Sequence, residues 1–135
     1  MRTEEAAMFS HVTVGTTDID RATGFYDAVI VGILGWQHLH RDPHRAGYGR
    51  WNGPQFWVLT PFDGQPASAG NGVHIAFLTS SRDQVDRFHA AALAHGGTDE
   101  GAPGPRPHYH ENYYGGDVRD PDGNKLQAVC HSRRD

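Results

Sequence analysis

An internal repeat is the feature that most restricts how this chain can fold. His11–Val14 (HVTV) begins one copy and His74–Phe77 (HIAF) begins the other, and each is followed by a short Thr/Ser turn and a helical pattern. In each copy a phenylalanine, Phe25 or Phe88, stands fourteen positions after the histidine. Self-similarity at a fixed offset is typical of one supersecondary unit used twice. The two histidines therefore occupy equivalent positions in two units, and packing of the units can bring them to one site.

The first copy predicts a strand, a helix and three further strands. Residues 9–15 alternate between two faces, and we expect the face that holds His11 to matter for function. Apolar residues at three- and four-residue steps over 19–29 predict a helix, and Asp18 or Thr17 can cap its start. The further strands are expected over 36–40, 45–51 and 55–60.

The second copy repeats this order after a linker rich in Gly, Pro and Ala over 63–72. Its first strand is predicted over 73–79, and its helix begins at a capping box formed by Ser81 and Gln84. Three prolines within 102–107 predict an irregular loop there. The chain then predicts a hairpin of strands 113–119 and 125–131 around the turn 120–123 (DPDG).

These elements predict one α+β domain over 9–131, with paired units 9–62 and 73–131 that leave a cleft between curved sheets. A length of 135 residues suits a single domain. Residues 1–8 are expected to form a flexible N-terminal extension. A cleft between two sheets is a common place for a small-molecule site.

Charge and cysteine content exclude several function classes. The net charge is −4 without a run of like charges, so neither nucleic acid nor a membrane surface is an expected partner. No stretch approaches the roughly 20 apolar residues of a membrane span. Cys130 is the single cysteine, so an intrachain disulfide is impossible and a reducing, cytoplasmic location is expected.

Three segments together resemble a known family. These are the HVTV strand with its following D-x-x-R-x-x-x-F-Y helix, the GVHIAF strand at 72–77, and the DPDGNK turn at 120–125. The combination is similar to the vicinal oxygen chelate superfamily, which includes glyoxalases, extradiol dioxygenases and bleomycin-resistance proteins. The resemblance covers 9–131. It implies two βαβββ modules, one divalent metal ion held in the cleft by the first and last strands of each module, and a homodimer.

The resemblance also implies which residues bind the metal. His11 and His74 match the ligands on the two first strands, and Gln127 stands where a glutamate is usual on the last strand. On the last strand of the first module, Val58 stands at the place of another glutamate. Glutamine can bind a metal through its amide oxygen, whereas valine cannot. Zinc, nickel, manganese and iron all remain open as the metal.

Loss of both glutamates has a chemical consequence. Carboxylates compensate the charge of the cation, and one of them serves as a general base in glyoxalase-like chemistry. Two imidazoles and an amide supply donors without negative charge. Either another acid, Glu111 or Asp117, reaches the site, or the metal binds weakly, or no metal binds.

The stretch 108–114 (HYHENYY) mixes two histidines, an acid and three tyrosines. One interpretation is a rim that contacts substrate, with Tyr109, Tyr113 and Tyr114 binding it together with Trp57. In that interpretation His108, His110 and Glu111 are the candidate catalytic proton carriers. The other interpretation is an ordered surface loop or a dimer contact.

Two functions therefore compete. The first is a metal-dependent enzyme of the glyoxalase or dioxygenase type, with the metal polarising a substrate oxygen. The second is a metal-free protein that binds and sequesters a small molecule, like the bleomycin-resistance branch. The second explains Val58 and leaves the paired histidines without a role.

Overall fold

The protein is represented by a computed structural model, which describes residues 8–135. Most of the predicted N-terminal extension lies outside the described residues, and Met8 is exposed. No helix in the described part is long and apolar enough to cross a membrane. Along the chain the elements are β1 His11–Gly15, α1 Ile19–Tyr26 continued by a π-helical turn Asp27–Ile33, β2 Gln37–Asp42, β3 Arg45–Gly49, β4 Gln55–Leu59, β5 Ile75–Leu78, α2 Arg82–Ala94, β6 Thr98–Pro105, β7 Tyr114–Arg119 and β8 Lys125–Cys130.

Both α-helices begin at the predicted side-chain caps. The Asp18 carboxylate accepts a hydrogen bond from the backbone N–H of Arg21 at 3.0 Å, so Asp18 rather than Thr17 caps α1. The Ser81 hydroxyl accepts from the N–H of Gln84 at 3.1 Å and caps α2. Each bond satisfies a backbone donor that has no partner inside its helix.

The strands form two sheets with the same topology. Sheet A has the order β1-β4-β3-β2, and sheet B has the order β5-β8-β7-β6. In each sheet the first strand pairs in parallel with the last strand of its module, and the remaining pairs are antiparallel. Phe25 and Phe88 are both fully buried. The repeat predicted from the sequence is therefore present, and the architecture is the α+β fold of two βαβββ modules.

One hydrophobic core joins the helix-bearing faces of the two sheets. Phe56 of β4 and Phe77 of β5 contact each other with ring centroids 5.2 Å apart, and Tyr26 of α1 lies 4.8 Å from Phe56. We call the faces that meet in this core the inner faces and the opposite faces the outer faces. Ala76 is exposed, and Leu78 is 65 % exposed. The outer face of sheet B is therefore open along β5.

The turn of the last hairpin, residues 120–123, connects the second module to the first by hydrogen bonds. Asp122 accepts hydrogen bonds from the Thr17 N–H at 3.1 Å and from the Arg21 guanidinium at 2.8 Å. Asp120 is buried and accepts a hydrogen bond from the Tyr26 hydroxyl. Burial raises the pKa of the Asp120 carboxyl above its usual value. Gly123 has φ +92°, a conformation that glycine adopts without strain.

The prediction of an irregular loop over 102–107 is wrong for residues 102–105. β6 extends to Pro105, with register shifts against β7 between Asp99 and Gly101 and between Gly101 and Gly104. β6 is the edge strand of sheet B, so one of its sides pairs with no other strand. Proline lacks a backbone N–H, and an edge strand tolerates this because no ladder hydrogen bond is needed on the unpaired side. The strand therefore accommodates the prolines that suggested a loop.

Candidate functional site

The outer face of sheet A carries one of the two repeated histidines. In the parallel register His11 lies beside Gln55, and Thr13 lies beside Trp57. Neighbours in register point to the same face of a sheet, so these four side chains share the outer face. The Trp57 indole donates a hydrogen bond to Gln55 Oε1 at 2.9 Å, which fixes the orientation of the ring.

Val58 faces away from His11. It pairs in register with Val14 and Ala46, and all three are buried in the core. The family motif places Val58 at a ligand position, but Val58 lies on the inner face of sheet A. The alternation of β4 directs Trp57, one residue earlier, to the outer face that carries His11.

Charged and aromatic side chains surround Trp57. The Arg45 guanidinium lies 6.0 Å from the centroid of the indole, and the His40 ring lies at 5.8 Å. His40 Nε2 is 2.6 Å from a carboxylate oxygen of Asp42. That contact, together with the backbone N–H of His44, lowers the pKa of Asp42 far below its usual value. This group places the Asp42 carboxylate and the Arg45 guanidinium beside an aromatic surface.

A cavity of about 900 Å³ opens at one end of this face. Its wall combines Arg45 and Asp42 with the hydroxyl-bearing Thr16 and Thr17 and the apolar Leu59. None of these residues was predicted from the sequence to be functional. Arg45 approaches Trp57 only through the register of β3 with β4, which the sequence of β3 alone does not indicate.

The outer face of sheet B holds a fixed amide. Gln127 is only 3 % exposed and lies in register beside Asp117 of β7. Its Nε2 donates to Asp117 at 2.7 Å, and its Oε1 accepts from the Tyr113 hydroxyl. A carboxylate can only accept, so the amide nitrogen must face Asp117 and the oxygen must face Tyr113. Burial, Tyr109 and Asp117 raise the pKa of the Tyr113 hydroxyl, which therefore stays a donor at neutral pH.

Most of the HYHENYY stretch gathers around Tyr113. The ring of Tyr109 lies 4.8 Å from that of Tyr113, and the rings of His108 and His110 lie 4.3 Å from Tyr109 and 5.4 Å from Tyr113, respectively. Glu111 is exposed. The predicted rim is thus an aromatic and histidine cluster next to Gln127.

Tyr114 does not join this cluster. Its register partner Cys130 is buried in the core, and its hydroxyl donates to Asp86 of α2 at 2.7 Å. The Arg82 guanidinium lies 5.1 Å from its ring centroid. Tyr114 therefore lies on the helix side of sheet B, apart from the other predicted substrate-binding residues.

His11 and His74 belong to different sheets. Both are exposed, His74 directly precedes β5, and β1 and β5 are not hydrogen-bonded to each other. His11 Nδ1 is 2.9 Å from the Ser10 hydroxyl. Across residues 8–135 no three His, Cys, Asp or Glu side chains lie close enough together to hold a metal ion. The fold therefore presents the predicted ligands on two outer faces.

His131 was missed as a member of the site. It follows β8 directly, and its ring lies 5.2 Å from both Tyr113 and His110. In sequence it is separated from His110 by 21 positions, and only the pairing of β7 with β8 brings the two together. No local motif could have indicated this contact.

Comparison with known proteins supports this architecture. The model of the Glyoxalase/Bleomycin resistance protein/Dioxygenase superfamily matches residues 8–128. A glyoxalase/bleomycin resistance protein from Albidiferax ferrireducens is similar at 41% identity, with a TM-score of 0.81 over 92% of this chain and 98% of that chain. No curated protein matches the chain in sequence.

Two more distant structures share the fold. A glyoxalase-related enzyme from Fulvimarina pelagi has 22% identity and a TM-score of 0.71, over 91% of this chain and 87% of that chain. A lactoylglutathione lyase from Agrobacterium tumefaciens has 18% identity and a TM-score of 0.64, over 93% and 95%. The family match over residues 8–128 and the repeated topology of the two sheets lead to one conclusion. The chain belongs to the glyoxalase/bleomycin resistance protein/dioxygenase superfamily.

Proposed function

We propose that the chain is a small-molecule enzyme of the glyoxalase or dioxygenase type, in which His11, His74 and Gln127 bind a divalent metal ion. The observation that carries the proposal is the Gln127 amide, which is buried and oriented by Tyr113 and Asp117 on an outer face. Burying a polar side chain on a sheet face is costly unless its groups are paired. A fixed amide oxygen at a ligand position of the family fits a role in binding.

The donor chemistry fits a transition metal better than calcium or magnesium. Imidazole nitrogen suits zinc, nickel and iron, and an amide oxygen suits manganese as well. The oxygen of Gln127 keeps one lone pair after it accepts from Tyr113. Asp117 brings a carboxylate next to that amide at 2.7 Å and can compensate part of the charge of the cation.

We further propose that the site forms between two copies of the chain. One core holds the two inner faces together, and the outer faces with His11 on sheet A and Gln127 on sheet B are left open. A homodimer that places sheet A of one protomer against sheet B of its partner would bring the predicted ligands together. It would also cover Leu78, which is 65 % exposed. An isologous pairing of this kind creates two equivalent sites.

In this arrangement a bound cation would polarise a substrate oxygen and stabilise the charge that develops beside it. Trp57 and Tyr113 supply flat apolar surfaces that orient the substrate and exclude water. His108, His110 and Glu111 remain the candidate proton carriers. A reducing, cytoplasmic setting belongs to the proposal, and the single cysteine, Cys130, supports it.

Metal content after exposure to zinc, nickel, manganese and ferrous iron tests the proposal. We expect about one ion per chain, and loss of binding in His11→Ala and in His74→Ala. The matched control is His95→Ala, an exposed histidine of the α2 C-terminus whose Nδ1 contacts the Ala91 carbonyl. Unchanged metal content in both site variants would contradict the assigned ligands.

A mixing experiment tests where the site forms. In a mixed dimer of His11→Ala and His74→Ala chains, one of the two sites between chains keeps both histidines. Metal binding should then return when the two inactive variants are refolded together. If the mixed variants bind no metal although the wild-type protein does, the proposal of a site between protomers is wrong.

The alternative is a metal-free protein that binds a small molecule. It is favoured by the aromatic surfaces of Trp57, Tyr109 and Tyr113, which can bind a ligand without a metal ion. Thermal-shift screening of metal-stripped protein separates the two functions. A ligand that stabilises the stripped chain as strongly as the metal-soaked chain would favour the binder.

A further inference from the structure

Two histidines from distant parts of the chain form a direct imidazole pair. His110 Nε2 lies 3.0 Å from His131 Nδ1, and the rings are 5.2 Å apart with an interplanar angle of 30°. Both residues are exposed. A hydrogen bond between two imidazoles requires one ring to donate and the other to accept, so the protonation of each ring is constrained by the other.

A backbone group decides which ring donates. The Asn112 N–H points at His110 Nδ1 over 3.1 Å. A backbone N–H can only donate, so His110 Nδ1 carries no proton and the proton of the neutral ring lies on Nε2. His110 Nε2–H therefore donates to His131 Nδ1, and His131 must carry its own proton on Nε2.

The same reasoning distinguishes this pair from a metal site. Binding of one cation between the rings needs a lone pair on His110 Nε2, which moves the proton to Nδ1. Nδ1–H would then face the Asn112 N–H, donor against donor, at 3.1 Å. The local backbone thus favours the hydrogen-bonded pair.

The end of this chain of hydrogen bonds is a donor without a partner. Within residues 8–135 the Nε2–H of His131 has no hydrogen-bond acceptor, whereas the other three nitrogens of the pair are engaged with one another or with Asn112. Successive hydrogen bonds polarise one another, so the last N–H of the chain is a stronger donor than an isolated one. A negatively charged acceptor gains most from such a donor.

Aromatic surface lies beside this donor. The Tyr113 ring contacts that of His131 edge-on at 5.2 Å, and its hydroxyl is held by Gln127. The Tyr109 ring is 4.8 Å from Tyr113 and the residue is 63 % exposed. Exposed aromatic rings next to a fixed donor suit a flat ligand with a charged acceptor group.

We propose that the His110–His131 pair is a donor of fixed tautomer that binds the carboxylate of a planar ligand, whose ring packs on Tyr109 and Tyr113. His131 is the contacting residue, and His110 is a positioning residue that acts through it. This proposal goes beyond the proposed function, because it requires neither a metal ion nor a second chain.

Nuclear magnetic resonance of ¹⁵N-histidine-labelled protein tests the tautomers directly. At about pH 8, above the ordinary histidine pKa, we expect both rings to carry the proton on Nε2. The His110 Nε2–H signal should be shifted downfield and should be lost in His131→Ala. A proton on Nδ1 of either ring would overturn the proposal.

Titration with benzoate in the presence of a chelator tests the ligand class. We expect a saturable shift of His131 Nε2, at least about tenfold weaker binding in His131→Ala, and several-fold weaker binding in His110→Ala. His131→Gln keeps an N–H donor and should bind better than His131→Ala. Benzamide, planar but neutral, should bind more weakly than benzoate.

The control is His95→Ala, which changes an exposed histidine on α2. Its affinity for benzoate should equal that of the wild type, and thermal unfolding midpoints confirm that all variants are folded. Equal weakening in all variants, no saturable binding, or benzamide binding as tightly as benzoate would overturn the proposal. Since the chelator removes metal, each of these results is independent of the metal site.

Discussion

Replacing Val58 with glutamate restores the family's acidic residue by sequence, yet the structure predicts that it destabilises the protein. Val58 is fully buried on the inner face of sheet A. A glutamate there must be protonated to stay in the core. Its ordinary pKa lies about 2.7 pH units below pH 7, and protonation costs roughly 1.36 kcal/mol for each of these units. The cost is about 3.7 kcal/mol, to which the lost valine packing adds about 1 to 2 kcal/mol.

The penalty should depend on pH in a defined direction. The introduced carboxyl has a higher pKa in the folded state than in the unfolded state, so stability falls as the pH rises above about 4. Urea unfolding of Val58→Glu at about pH 4.5 and about pH 7 measures this fall. Val58→Gln, which introduces a polar group that does not titrate in this range, separates the loss of packing from the ionisation.

A matched control lies on the neighbouring strand. Thr13 is exposed on the outer face of the same sheet, beside Trp57 in register. Thr13→Glu should change the free energy of unfolding by no more than about 0.5 to 1 kcal/mol. If Val58→Glu were as stable as Thr13→Glu at both pH values, Val58 would face solvent and the assignment of inner and outer faces would be refuted.

Three further variants test the core, a cap and an ion pair. Phe77→Ala removes a ring that is 4 % exposed and contacts Phe56 across the two modules. It should lower the free energy of unfolding by about 3 to 5 kcal/mol in urea titrations. A loss below about 1 kcal/mol would argue against a shared core. Asp18→Ala removes the cap that accepts from Arg21 N–H and should cost about 1 kcal/mol in the same assay, whereas Asp18→Asn should retain most of it. His40→Ala should raise the pKa of Asp42, since the His40 contact is the largest cause of its lowering; ¹³C carboxyl shifts across an acid titration measure it, and an unchanged midpoint would exclude the contact in solution.

The fold could be predicted from the sequence because its signals are local and occur twice. Asp18 and Ser81 stand where side-chain caps are expected, and both bonds are present. The buried positions of Phe25 and Phe88 follow from the shared spacing after His11 and His74. Two matching units predict that the two sheets share one topology, and both sheets show the same strand order.

Other features depend on pairing between distant segments. Prolines 103 and 105 suggested a loop, and only the edge position of β6 shows that a strand tolerates them. Val58 matched a ligand position by motif, but the register of β1 with β4 decides which residue shares a face with His11. A shift of one residue exchanges the two faces of a strand, and no periodicity in the five residues of β4 fixes it.

The polar groups proposed to act on a ligand lie away from the residues that hold the fold together. Gln127 and Asp117 face outward from strands whose alternate residues, Leu126 and Val118, are fully buried. Substitutions on the outer faces should therefore alter binding without the stability losses that core substitutions cause. Gln127 is the exception, because it is itself buried and bonded at both ends. Replacement of Gln127 leaves Tyr113 and Asp117 without their partner, so its effect on binding can be interpreted only beside a measured free energy of unfolding.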